Sequence, residues 1–92
     1  MNLIWSDEAK TTYNGIIDYL LKEWHTEIAI DFENKTNNLL DQLKINKKLC
    51  PPSKIKKLRK CVIHKNASLI YRIKSNTIEL ITFIDNRADH NY

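Results

Sequence analysis

The sequence predicts an α+β domain in which a helical hairpin packs on a short antiparallel sheet. Three observations carry this. Apolar residues recur at three- and four-residue intervals through the first half, the period changes to two in the second, and the prolines Pro51-Pro52 mark the change. At 92 residues the chain has room for one core, so residues 1–92 are expected to form a single domain.

Leu3, Ile4 and Trp5 form a short apolar run ending at Ser6, a good N-cap. Asp7 and Glu8 follow where carboxylates favour the positive end of a helix, so a helix should start near residue 7. Ala9, Tyr13, Ile16, Ile17, Leu20, Leu21 and Trp24 make its apolar stripe, with Lys10, Asn14, Asp18 and Lys22 opposite. Gly15 weakens this helix without ending it. His25-Thr26 supplies a break and a second N-cap, after which Ala29, Phe32, Thr36, Leu39, Leu40 and Leu43 repeat the helical spacing. Lys44, Lys47 and Lys48 suit the C-terminal end of that second helix. So short a connection makes the two helices antiparallel neighbours.

Cys50-Pro51-Pro52-Ser53 bars helix, because consecutive prolines remove donors and restrict the residue before them. Three strands are then read from alternation: Leu58 to Ile63, Leu69 to Lys74 and Ile78 to Ile84, the last two joined by a tight Ser75-Asn76 turn. They form a β-meander. Asp85 to Tyr92 is polar and is expected to lie as a tail beside the sheet.

The N-terminus has no basic leader before a long apolar stretch, and no run approaches the roughly 18 apolar residues of a membrane span, so a cytoplasmic protein without membrane contact is expected. Cys50 and Cys61 have neither CxxC spacing nor histidines at zinc-finger spacing, and they read as free thiols. The net charge of +4 is unevenly placed: from Lys44 to Lys74 there are eleven Lys and Arg and no Asp or Glu. Such a run is either a solvated basic face or a surface for an anionic partner.

With one glycine in the chain there is no phosphate-binding loop, and no GxSxG or HExxH motif occurs. His25, His64 and His90 are scattered, so no metal and no cofactor are expected. What remains is a set of Arg and Lys on strands, with Tyr71, His90 and Tyr92 within reach. Such a set serves either phosphoryl-transfer chemistry on RNA or docking. The face presented by Arg72 depends on a register that alternation leaves open.

Taken together, these pieces resemble the RelE/ParE superfamily of toxins from bacterial type II toxin-antitoxin systems. The resemblance spans nearly the whole length. It is carried by Ile4-Trp5-Ser6-Asp7-Glu8-Ala9, Ile16-Ile17-Asp18-Tyr19-Leu20, Phe32 and Leu39-Leu40. Beyond the prolines it continues through Leu58-Arg59-Lys60-Cys61-Val62, Leu69-Ile70-Tyr71-Arg72-Ile73 and Phe83-Ile84-Asp85-Asn86-Arg87-Ala88-Asp89. It implies the order β-α-α-β-β-β, with a short N-terminal strand.

It also implies one of two activities: RelE-like members cut messenger RNA on the ribosome, and ParE-like members inhibit DNA gyrase without catalytic chemistry of their own. In the nuclease branch an Arg stands three residues before the Tyr matched by Tyr71, and here that place is Ser68. That difference and the Asn86-Arg87-Ala88-Asp89 ending resemble the ParE side. Arg59, Arg72 and Arg87 are then target-binding residues on one surface. On the nuclease alternative Arg59 and Arg72 would contact phosphate, His90 would move protons and Tyr92 would stack on a base. The resemblance further implies an acidic antitoxin wrapped over the toxin in a hetero-oligomer. A basic RNA-binding module that is not toxic is the third reading.

Overall fold

The computed structural model describes residues 2–88, 91 and 92. The observed order is β1 (Asn2–Trp5), α1 (Asp7–Glu23), α2 (Thr26–Ile45), β2 (Arg59–His64), β3 (Ala67–Lys74) and β4 (Thr77–Asp85). The sheet order is β1-β4-β3-β2. β2, β3 and β4 form the antiparallel meander, and β1 adds to its β4 edge in parallel, Leu3 facing Ile78 and Trp5 facing Leu80.

Ser6 caps α1 as its residue type predicts, its Oγ accepting from the Ala9 amide at 2.9 Å. The second cap differs. His25 holds that place in an extended conformation without a side-chain bond, and Thr26 is already helical. α2 ends at Asn46, whose amide still donates to the Gln42 carbonyl, so Lys44 alone of the three lysines lies in its last turn.

α1 packs on β4 and α2 on β2. Ala9, Leu20, Ala29, Phe32, Leu40 and Leu43 meet Cys61, Leu69, Tyr71, Ile78, Leu80 and Phe83 in the core. Trp5, Tyr13, Phe32 and Phe83 join β1, both helices and β4 through ring contacts of 5.1–5.6 Å. Two stripe residues depart from expectation: Leu21 and Trp24 are each 49% exposed, Leu21 on the outer seam of the helices and Trp24 beside a cleft it shares with His64, Lys65 and Asn66.

A bulge in β4 leaves Ile81 as an extra residue between Leu80 and Thr82. α1 satisfies the interrupted ladder. The Ser6 hydroxyl donates to the Ile81 carbonyl at 2.8 Å, and the Phe83 amide donates to the Thr12 hydroxyl at 2.9 Å.

The two cysteines are not free thiols. They form a disulfide, with Cα atoms 5.3 Å apart. The prolines do more than stop a helix: they turn the chain back along β2. The Lys60 amide donates to the Pro51 carbonyl, Pro52 bridges Arg59, and Cys50 thereby lands opposite Cys61. Spacing in the sequence carried no sign of that reversal.

Candidate functional site

β3 outruns β2, because Arg59 at the start of β2 pairs with Tyr71 and leaves the edge of residues 72–74 without a strand partner there. The 55–58 turn folds over this corner, with Lys57 held at φ 71°. Two adjoining grooves result. One, of about 430 Å³, is lined by Ile55, Lys56, Lys57, Leu58, Arg72, Ile73 and Lys74. The other, of about 300 Å³, shares Lys57, Leu58 and Ile73 and adds Pro52 and Arg59.

Alternation assigns the faces. Leu69 and Tyr71 belong to the helix-side core, so Ser68, Ile70, Arg72 and Lys74 lie on the other face. Arg59 shares the face of its partner Tyr71, and its Nη1 donates to the Cys50 carbonyl at 2.6 Å. Arg59 and Arg72 therefore occupy opposite faces at one corner and meet across the shared turn. Arg72 is paired with Glu79 at 3.0 Å. Among the described residues, Arg59 and the lysines from Lys44 to Lys74 form no ion pair. The described lining of both grooves contains no carboxylate and no histidine. Such a corner is electrostatically suited to an anion, and among its described lining residues lysine is the group able to carry a proton.

Tyr71 braces the corner from below. Its hydroxyl donates to the Lys47 carbonyl at 2.8 Å. Burial pushes its phenol above the ordinary value, against smaller lowering effects of the Cys50 backbone bond and the Arg59 charge.

Arg87 lies elsewhere. It follows Asp85, which pairs with Ala67 at the far end of β3, about 17 Å from Arg72 at roughly 3.3 Å per residue. Its guanidinium binds Asp85 at 2.7 Å and the Tyr19 hydroxyl at 3.1 Å beside a cleft of about 370 Å³. Those two bonds hold the Arg87 guanidinium more firmly charged, and the bond from Arg87, followed by one from Trp24, lowers the Tyr19 phenol. Asn86 anchors this end, its amide donating to the Asn66 carbonyl and its side-chain oxygen accepting from the Ser68 hydroxyl at 2.8 Å.

A third feature is the outer seam of the helices, a shallow apolar groove lined by Ile17, Leu21, Ala29, Ile30 and Glu33. Leu21 and Ile30 are half exposed on it.

The family model described as "ParE toxin of type II toxin-antitoxin system, parDE" matches residues 3–90. The chain belongs to the ParE toxin family. Solved structures agree on the fold. A chromosomal ParDE toxin-antitoxin system from P. aeruginosa has a chain similar to this one at TM-score 0.70 and 20% identity, covering 92% of this chain and 95% of that one. A YoeB/ParE toxin from Agrobacterium tumefaciens is similar at 0.68 and 17%, covering 94% and 99%. A heterotetrameric YoeB-YefM toxin-antitoxin complex from Staphylococcus aureus is similar at 0.61 and 20%, covering 91% and 94%. No curated protein sequence matches.

On this ParE-family chain, the place of the nuclease arginine is Ser68, fully buried and bonded to Asn86. His90 lies outside the described residues. Tyr92 is half-buried. Among the described residues no cluster of His, Cys, Asp or Glu can hold a metal, and no helix is long and apolar enough to cross a membrane. The grooves at the basic corner had a signal in the sequence, the unbroken run of cations. The outer seam had a weaker one, an apolar stripe wider than a single sheet contact needs.

Proposed function

We propose that this toxin arrests growth by binding DNA gyrase in the cytoplasm and that a cognate acidic antitoxin neutralises it in a hetero-oligomer. The observation that carries the gyrase reading is the basic corner, an anion-binding surface whose described lining lacks the acid-base pair that RNA cleavage calls for. Arg59 and Arg72 dock the target there. Arg87, at the other end of the strand and tied to Asp85, makes a separate contact.

The antitoxin engages two surfaces of different character. An apolar segment covers the helical seam at Leu21 and Ile30, and acidic residues reach the lysines of the corner. The presence of a YoeB-YefM heterotetramer among the similar structures supports such an assembly.

The decisive experiment assays the purified toxin for inhibition of gyrase supercoiling and for messenger-RNA cleavage on translating ribosomes, each with and without the product of the neighbouring gene. Gyrase inhibition reversed by the neighbour is the expected result. Ribosome-dependent cleavage would replace it with the nuclease reading and make Arg59, Arg72, His90 and Tyr92 catalytic candidates. Silence in both assays would leave a basic RNA-binding module.

A further inference from the structure

The loop that carries the basic corner is closed covalently. Between Cys50 and Cys61 lie Lys54, Lys56, Lys57, Arg59 and Lys60, five cations on a segment without a carboxylate, the last two at the start of β2. Like charges so confined repel and favour an open loop. The hydrogen bonds opposing that repulsion are few and local. The Ser53 amide donates to the Leu58 carbonyl at 2.8 Å, the Lys60 amide to the Pro51 carbonyl at 3.1 Å, and Arg59 to the Cys50 carbonyl. The ends of the ring are also held from outside it, Arg59, Lys60 and Cys61 pairing with Tyr71, Ile70 and Leu69 of β3 and the Tyr71 hydroxyl holding the Lys47 carbonyl, so it is residues 51–58 between these anchors that the disulfide helps to hold.

From this we infer that the Cys50–Cys61 disulfide is a redox clasp: closed, it orders the cationic loop, and reduced to two thiols it lets the loop open and weakens docking of an anionic target. The consequence for activity rests on the proposed gyrase reading, whereas the ordering of the loop does not. The reaction is thiol–disulfide exchange with a dithiol. The Cys50–Cys61 bond breaks, two electrons and two protons pass to the two sulphurs, and the dithiol closes to its own disulfide. Cys50 is 8% and Cys61 2% exposed, so a dithiol reaches the bond only as the loop opens locally, and the flanking Lys48, Arg59 and Lys60 then favour the thiolate. Cys50 and Cys61 are themselves in the core, but Leu69, Tyr71, Ile78 and Leu80 beside them are fully buried against the helices.

The test uses the full chain, oxidised or treated with dithiothreitol, with thiols trapped by alkylation and counted by mass. A C50A/C61A variant, checked by circular dichroism, reproduces the open state without reductant. Hydrogen exchange at the Ser53, Leu58 and Lys60 amides should quicken about tenfold or more on reduction and in the variant, the lower end of what a loop-closing disulfide contributes. Amides at Leu69 and Leu80 should keep their protection. Gyrase inhibition should then require about tenfold more reduced toxin. Equal exchange at the three loop amides in both states, or alkylation of both cysteines without reductant, would overturn the clasp. Changed exchange with equal gyrase inhibition would refute its control of docking. Changed exchange with no gyrase inhibition in either state would sustain the clasp and reject the gyrase reading.

Discussion

Arg59 and Arg72 look equivalent as letters and differ in what surrounds them. Arg72 is half exposed and, among the described residues, paired with Glu79, an arrangement that contributes little to stability in water. Arg59 donates to a backbone carbonyl that would otherwise lack that partner. Arg72→Ala should therefore unfold in denaturant within about 1 kcal/mol of the parent, while Arg59→Ala should lose about 1.5–3 kcal/mol. A loss of target binding in Arg72→Ala then reports docking alone. Tyr71 gives a pH signature. Its folded phenol titrates above the ordinary 10.0, so the neutral form is favoured on folding. That stability is fully present below pH 10.0 and is lost as pH rises through the folded value. Tyr71→Phe should flatten the alkaline limb of the stability curve and cost about 1–3 kcal/mol at neutral pH by orphaning the Lys47 carbonyl. Tyr13, raised by burial and then by Glu33, should add a loss of stability at alkaline pH in the same direction.

At the scale of elements, α1 is held less by its own propensity than by what it packs on. It contains the exposed Gly15, where a Cβ would meet nothing within 4 Å. Gly15→Ala should thus raise stability by about 0.5–1 kcal/mol, read as a higher denaturation midpoint at unchanged slope. The elements themselves were legible because their cause is periodic. Ser6 as cap, the 3.6-residue stripe and the meander alternation are all local facts. The Ile81 bulge was not legible, because it exists only where Ser6 and Thr12 of α1 meet the ladder of β4. The same holds for the fate of Leu21 and Trp24, which helical spacing places on the stripe and tertiary packing leaves half exposed.

Across the whole molecule, charge divides by layer. From Asp7 to Ile45 the helices carry eight acidic and four basic residues, and the remainder carries eleven basic and three acidic. The helical seam is thus apolar with an acidic border, and the corner is cationic. Binding of an acidic antitoxin should split accordingly. Raising salt from roughly 0.05 to 0.5 M should slow association about tenfold or more by screening the corner, whereas Leu21→Asp should mainly speed dissociation. Surface-resonance kinetics resolve the two. Equal effects of both changes on the two rates would show that one surface does the binding.

The sequence by itself determined the fold class, the helical hairpin followed by the meander, and the cationic run, because each follows from side-chain type and spacing along the chain, whereas the N-terminal strand was implied only by the family resemblance. Tertiary structure alone decided that Cys50 and Cys61 bond, that Arg59 and Arg72 share a corner from opposite faces, and that Arg87 stands about 17 Å away along β3 at roughly 3.3 Å per residue. These are relations between residues far apart in the chain, and they are set by strand register, where a shift of one residue reverses every face.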